Sequence, residues 1–132
     1  MRKLILKIIV SILLVASVVI VFIIYNNVNK NNKEELYNVN IVIAFKEETL
    51  KDDNYKIKSD VTLFELLDSN YELVYDETIY GVRLLGIDTI ITDFKTSYIA
   101  IFVDDKYSEY GISNIKLYDG IKITLKETKI WT

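Results

Sequence analysis

Carboxylates are the most frequent side chains in this sequence that could act in acid–base chemistry or bind a metal ion. Adjacent carboxylates on a strand point to opposite faces of a sheet, so they do not form a catalytic dyad by themselves. A calcium loop needs oxygen ligands at fixed alternating positions, and Asp104, Asp105 and Glu109 do not follow that spacing. Solvated turn carboxylates are therefore favoured over a cation site. The adjacent pairs include Glu47-Glu48, Asp52-Asp53, Asp76-Glu77 and Asp104-Asp105.

Nucleophilic catalysis has little support in the residue types. The chain contains no histidine and no cysteine, which removes imidazole catalysis, thiol nucleophiles and zinc sites of the usual kind. No nucleophile elbow and no glycine-rich phosphate loop occur in the sequence. A Ser–Lys dyad stays open as a formal alternative. The sequence therefore predicts a protein that is not an enzyme and holds no catalytic metal.

Tyrosine is the residue type best suited to ligand binding here. Nine of the ten tyrosines lie after residue 36, and Tyr107, Tyr110 and Tyr118 fall in or beside predicted loops. Together with Tyr98 they could offer flat, amphipathic surfaces to a planar ligand or a protein partner. A structural role is the more frequent one for tyrosine, because its side chain suits strands and half-buried positions. We take these four tyrosines, with the loop 104–110, as the candidate contact surface.

A hydrophobic segment is the first element that would position this contact surface, relative to a membrane. Residues 8–24 are 17 residues without a charge, and residues 4–25 form a stretch of 22. At about 1.5 Å per residue, this stretch can span a hydrocarbon core of roughly 30 Å. A cleaved signal peptide is the alternative, but it would have a shorter apolar core and a small-residue cleavage site. We expect residues 1–25 to be an uncleaved anchor that contacts membrane lipid through residues 4–25.

Charge indicates the orientation of this anchor. Arg2, Lys3 and Lys7 precede or begin the span, which is typical of a cytoplasmic N-terminus. The chain after residue 33 holds 11 basic and 19 acidic residues, a net charge of −8, which disfavours nucleic acid as a partner. Residues 26–36 are polar, lack periodicity and are predicted to form a flexible tether. We expect a single-pass cell-membrane protein whose C-terminal domain is extracellular.

The remainder of the chain begins with a predicted hairpin and a short helix. Apolar residues alternate over residues 39–45, which predicts a strand. Residues 51–54 (KDDN) have the composition of a turn, and residues 55–58 alternate again, so the two segments predict a hairpin. Thr62 and Glu65 then form the T-x-x-E capping box with which a short helix begins.

Strand patterns dominate after this helix. The predicted strands are residues 71–75, 80–91, 98–103 and 121–126. The second contains two glycines, which indicate a bulge or a close backbone approach, and the third is nearly all apolar and should be central. Trp131 is predicted to cover the sheet, with an anchor for a partner as the alternative. Residues 37–132 are therefore predicted to form an α+β domain, one short helix on a mixed sheet.

Four short motifs occur in this domain in a recognisable order and spacing. They are residues 61–67 (VTLFELL), 81–89 (GVRLLGIDT), 98–105 (YIAIFVDD) and 117–121 (LYDGI). In this order they resemble the transcobalamin-like C-terminal domain family, over roughly residues 59–127. The sequence departs from the family where Ile99 replaces a tryptophan and where Asp88-Thr89 and Asp104-Asp105 replace Asn-Gly turns.

The resemblance implies a β-grasp-like fold in an exported, membrane-tethered domain. In the animal cobalamin carriers of this family, the related domain caps one side of the bound corrinoid, and bacterial members accompany vitamin-uptake systems. It therefore implies a non-catalytic binding module that is accessory to uptake of cobalamin or a similar vitamin, with a vitamin transporter as partner. The alternative is a structural or assembly protein that binds other cell-envelope proteins.

Overall fold

The computed structural model describes residues 1–31 and 34–131, and the chain divides into two compact units, Met1–Glu34 and Glu35–Thr132. The first unit contains helix α1, Arg2–Asn31. Its segment Arg2–Val28 is long and apolar enough to cross a membrane, and an 18-residue window within it has a mean hydropathy of 3.2, although a signal sequence would meet the same criterion. The helix continues past residue 25, so residues 26–31 of the predicted tether are helical, and residues 32–33 lie outside the described residues.

The second unit is an α+β domain, as the sequence predicted. Its elements are β1 Leu36–Phe45, β2 Glu48–Lys58, α2 Leu63–Asn70, β3 Leu73–Thr78, β4 Gly81–Ile87, β5 Ile90–Ile91, β6 Ser97–Val103, β7 Lys106–Tyr107 and β8 Ile121–Lys129. One sheet has the strand order β2-β1-β8-β6-β7, and a smaller sheet has the order β3-β4-β5. The larger sheet is mixed, because β1 is antiparallel to β2 but parallel to β8.

The core lies where β1 and β8 run side by side. Alternate residues of both strands are almost fully buried, because one face of each strand is directed into the domain. The buried neighbours are Val39–Ile121, Ile41–Ile123 and Ile43–Leu125. Leu63, Leu66 and Leu67 of α2 belong to the same apolar cluster. Burial of this continuous apolar surface is the main force that holds the sheet and the helix together.

The start of α2 confirms the predicted capping box. The Thr62 hydroxyl oxygen accepts a hydrogen bond from the backbone N–H of Glu65 at 3.2 Å. In return, the Glu65 carboxylate accepts one from the backbone N–H of Thr62 at 2.8 Å. Two amides that the first helical turn cannot pair are thereby satisfied, and this fixes where the helix begins.

The predicted turn at residues 51–54 is wrong. These residues lie inside β2, and the chain instead reverses at Lys46, whose φ is 56°. The polar composition that suggested a turn is that of an edge strand, where charged side chains face water. Asp52 is one of these exposed side chains. Its carboxylate accepts a hydrogen bond at 2.6 Å from the side-chain amide of Asn40 on the neighbouring strand.

Two other expectations need correction. Strand β6 is not central, because its neighbours are β8 and the two-residue strand β7. Its apolar run reflects burial by other parts of the domain rather than a position in the middle of the sheet. Trp131 does not cover the sheet, since its side chain is 92% exposed.

Candidate functional site

A groove of about 660 Å³ opens beside β6, and most of the predicted tyrosines lie in it. Its walls are residues 78–84, which form the β3–β4 turn and most of β4, and residues 107–112, which begin at the last residue of β7. Residues of β6, Phe94 ahead of that strand and Ile130 after β8 complete the lining. We term this the tyrosine groove. It is assembled from segments distant in sequence, so only the folded domain can form it.

Ring contacts and one hydrogen bond fix the aromatic side chains of this groove. The rings of Phe94 and Tyr98 lie 6.1 Å apart. Tyr107 packs edge-on against Phe102 with ring centres 5.9 Å apart. A side-chain hydrogen bond with Tyr98 raises the pKa of Tyr107, with burial as a smaller cause. Tyr98 and Tyr107 are thus joined through a side-chain hydrogen bond and each packs on a further ring, and side chains held in this way bind a ligand at low entropic cost.

The rim of the groove carries apolar side chains that water surrounds. Ile79 and Tyr80 at the β3–β4 turn are 92% and 83% exposed, and Tyr110 on the opposite wall is 68% exposed. The two walls are tied together at one end, because the side-chain amide of Asn114 donates to the Tyr80 carbonyl at 3.2 Å. The groove is therefore open at its mouth and held in shape at its end.

The one cationic side chain in the groove wall is internally compensated. Arg83 Nε donates to Asp76 Oδ1 at 2.9 Å, and a second guanidinium nitrogen binds the other carboxylate oxygen. The hydrogen bond from Arg83 lowers the pKa of Asp76. The guanidinium also lies 4.8 Å from the centre of the Phe94 ring. Glu109 is the other charged side chain in the lining. With Arg83 paired, the groove disfavours an anionic ligand and suits one with a largely apolar face.

Tyr118 does not line the tyrosine groove. It lines a second groove of about 740 Å³ on the far side of Tyr107 and Tyr110, which contribute to both grooves. Its hydroxyl donates to the Asp104 carboxylate, and this bond raises the pKa of Tyr118 and lowers that of Asp104. Asp104 also accepts from the backbone N–H of Lys122 at 2.9 Å. Tyr118 thus helps to hold the β6–β7 turn.

Sequence reasoning missed several groove residues. Ile79 and Tyr80 carried a usable signal, because two large side chains stand directly before Gly81, where a predicted strand begins. Phe94 carried none. Its backbone has a φ of 59°, and the turn that holds it is organised by Asp93, whose carboxylate accepts from the N–H groups of Lys95 and Thr96.

The formal Ser–Lys alternative finds no support in the geometry. Ser113 and Lys116 have the spacing of such a pair, but they lie in a turn and an irregular segment rather than on a helix. The Ser113 hydroxyl oxygen instead accepts a hydrogen bond from the backbone N–H of Val82 at 3.2 Å. Within the described residues, no three acidic side chains come together as a metal site.

The β6–β7 turn beside the groove offers a test of its backbone strain. Asp104 and Asp105 both have positive φ, at 48° and 66°, which two-residue hairpin turns require but which costs any residue other than glycine. We expect Asp105→Gly to raise the free energy of unfolding by about 0.5–1 kcal/mol, because glycine adopts a positive φ without this cost. The ion pair of Asp105 with Lys122 is largely exposed, so its loss subtracts little. Asp104→Gly is the control. It removes two hydrogen bonds and should give no gain. Thermal unfolding measures both, and a less stable Asp105→Gly protein would contradict the expectation.

Comparisons with known proteins place this fold. No family model matches the sequence, and no curated protein is significantly similar to it. A crystal structure of a candidate metal-binding protein from Ruminococcus gnavus ATCC 29149 is 14% identical, with a TM-score of 0.60, and the match covers 72% of this chain and 99% of that one. Haptocorrin, crystallised in complex with Cbi, is 13% identical with a TM-score of 0.63, and the match covers 76% of this chain and 27% of haptocorrin. These similarities support the transcobalamin-like fold that the sequence motifs predicted.

Proposed function

We propose that this protein is a non-catalytic binding module, anchored by α1 on the outer face of a cell membrane, that holds one face of a flat small molecule in the tyrosine groove. Cobalamin or a similar vitamin is the ligand class. The sequence resemblance and the shared fold with haptocorrin, a protein crystallised with Cbi, support this class. Binding would serve uptake, with a membrane transporter receiving the ligand.

The observation that carries the proposal is the convergence of Tyr98, Tyr107 and Tyr110 with Phe94 on one open groove. Its volume of about 660 Å³ lies within the range of ligand sites. A vitamin as large as cobalamin exceeds that volume, so the groove would contact one face of it. The other face would remain free for the transporter.

The anchor rests on separate observations. Segment Arg2–Val28 is helical and apolar, and the only charges in residues 1–28 are the three basic ones at its start. This charge distribution favours an N-terminus in the cytoplasm. The groove would then face the extracellular side, where a nutrient first meets the cell.

A protein of the cell envelope is the second candidate ligand. The observation that favours it is the exposure of Ile79 and Tyr80, more than four-fifths for each side chain, on a turn that projects beside the groove. Exposed aromatic side chains commonly become buried anchors of protein interfaces. The two candidates differ in whether a free vitamin binds without any protein partner.

Isothermal titration calorimetry of the full chain in lipid nanodiscs tests the proposal, with cobalamin, cobinamide and unrelated vitamins as ligands. We expect a corrinoid to bind, and Tyr107→Ala or Tyr110→Ala to weaken binding about tenfold each, because each removes a stacking surface worth ~1–1.5 kcal/mol. Tyr118→Ala is the matched control and should change the affinity less than twofold. If no vitamin bound, the small-ligand function would be rejected. If all three variants weakened binding equally, the tyrosine groove would not be the binding site.

A further inference from the structure

Strand β2 leaves a long edge of the larger sheet open. It is the terminal strand in the order β2-β1-β8-β6-β7 and runs for 11 residues, Glu48–Lys58. No other strand in the described part of the chain pairs with its outer side. Open edges present unpaired backbone groups that can accept a further strand, and proteins usually shorten or block them. Here the edge is long and regular beyond a bulge opposite Ile43 and Ala44.

The sequence of this edge is complementary to itself. When two copies of β2 are laid antiparallel about Asn54, Asp52 of each copy lies opposite Lys56 of the other. Residues opposite each other share a face of the sheet, and both of these side chains are on exposed positions. The two-fold symmetry produces this acid–base pair twice.

The registers centred one and two residues nearer the start of β2 are less favourable. A register centred on Asp53 places the two Asp53 carboxylates opposite each other, and one centred on Asp52 does the same for that residue. Like charges directly opposite each other on paired strands are destabilising. The charge pattern therefore favours the register centred on Asn54 over these two. The register centred on Tyr55 also avoids like charges, but it pairs Asp52 with Lys58 and leaves Lys56 opposite Asn54, so charge reversal at Lys56 distinguishes it.

We propose that two copies of this chain pair through antiparallel β2 strands, with the two-fold axis at Asn54, to form one continuous sheet. The interface would be isologous, as in most homodimers. The tyrosine groove lies beside β6 and β7, at the opposite end of the strand order from β2. Both grooves would thus remain open to ligand in the dimer.

Pairing of one strand from each copy buries a small area, and exposed ion pairs add little affinity. The charges therefore set the register more than the strength of the interaction. Confinement of two anchored chains to one membrane raises their effective concentration and favours the pair. This step rests on the anchor proposed above, so the test uses the full chain in lipid vesicles.

Disulfide cross-linking tests the register, because the chain has no native cysteine. Opposite residues of antiparallel strands have Cα atoms about 4.5–5.5 Å apart, which falls within the range for a disulfide. Asn54→Cys should therefore cross-link two copies directly. Glu48→Cys is the control on the same exposed strand, because in this register its two copies lie about 40 Å apart. We expect Asn54→Cys to cross-link at least tenfold faster.

Charge reversal in the Asn54→Cys background provides the second measurement. Asp52→Lys or Lys56→Asp alone places like charges opposite each other and should slow cross-linking at least fivefold. The two changes together restore opposite charges and should bring the rate back to within twofold of Asn54→Cys alone. Circular dichroism verifies that each variant folds. Equal rates for the two cysteine positions, or no recovery in the double reversal, would overturn the proposal.

Discussion

Ile123→Ala should lower the free energy of unfolding of the domain by about 3–4 kcal/mol. Ile123 is fully buried in β8, between β1 and β6, and belongs to the apolar cluster that includes the α2 leucines. The substitution removes buried methyl and methylene groups and leaves a cavity that two flanking strands prevent from closing. A domain of this size has about 5–15 kcal/mol in total, so the loss is a large fraction.

Urea unfolding of residues 35–132, followed by circular dichroism, measures this change. The fragment is one compact unit and contains the whole apolar cluster, so it reports the domain alone. Thr124→Ala is the matched control. Thr124 is the next residue of β8 and faces away from the core, where a substitution should cost less than about 1 kcal/mol. Similar losses for the two variants would contradict the assignment of the core face.

Gly81→Ala should destabilise the domain by about 3 kcal/mol, for two reasons that act together. The φ of Gly81 is 111°, a conformation that residues with a side chain rarely adopt. A Cβ atom at this position would also overlap the Ser113 hydroxyl oxygen. That oxygen accepts the Val82 N–H, so a shift of Ser113 would break a bond between the groove wall and the loop beside it.

Two further variants separate these causes in the same unfolding experiment. Gly120→Ala has a comparable backbone demand, with φ at 82°, but a Cβ atom there would have no neighbour within 4 Å. It should cost about 1–2 kcal/mol. Adding Ser113→Ala to Gly81→Ala removes the overlapping oxygen and should recover part of the difference. If Gly81→Ala cost no more than Gly120→Ala, the close approach of the β3–β4 turn to Ser113 would be wrong.

The positions of β2 and β6 in the sheet could not be predicted from the composition of these segments. Residues 51–54 have the composition of a turn, but they extend an edge strand whose outer side no described strand covers. Strand β6 has the composition of a central strand, but it lies next to the short β7. Composition reports how much water a segment meets, and loops or a second sheet can exclude water as well as neighbouring strands can.

Local patterns in the sequence were enough to determine the apolar helix, the capped start of α2 and the alternating core face of β8, because each depends on residues within a few positions of one another. The four motifs added the class of fold. The site is different. Tyr98, Tyr107 and Tyr110 meet Phe94 and the β3–β4 turn only after distant segments pack together, while Tyr118 is directed to Asp104 instead. Contacts between residues far apart in the chain depend on how the sheets pack, and that arrangement is a property of the whole domain rather than of any single segment.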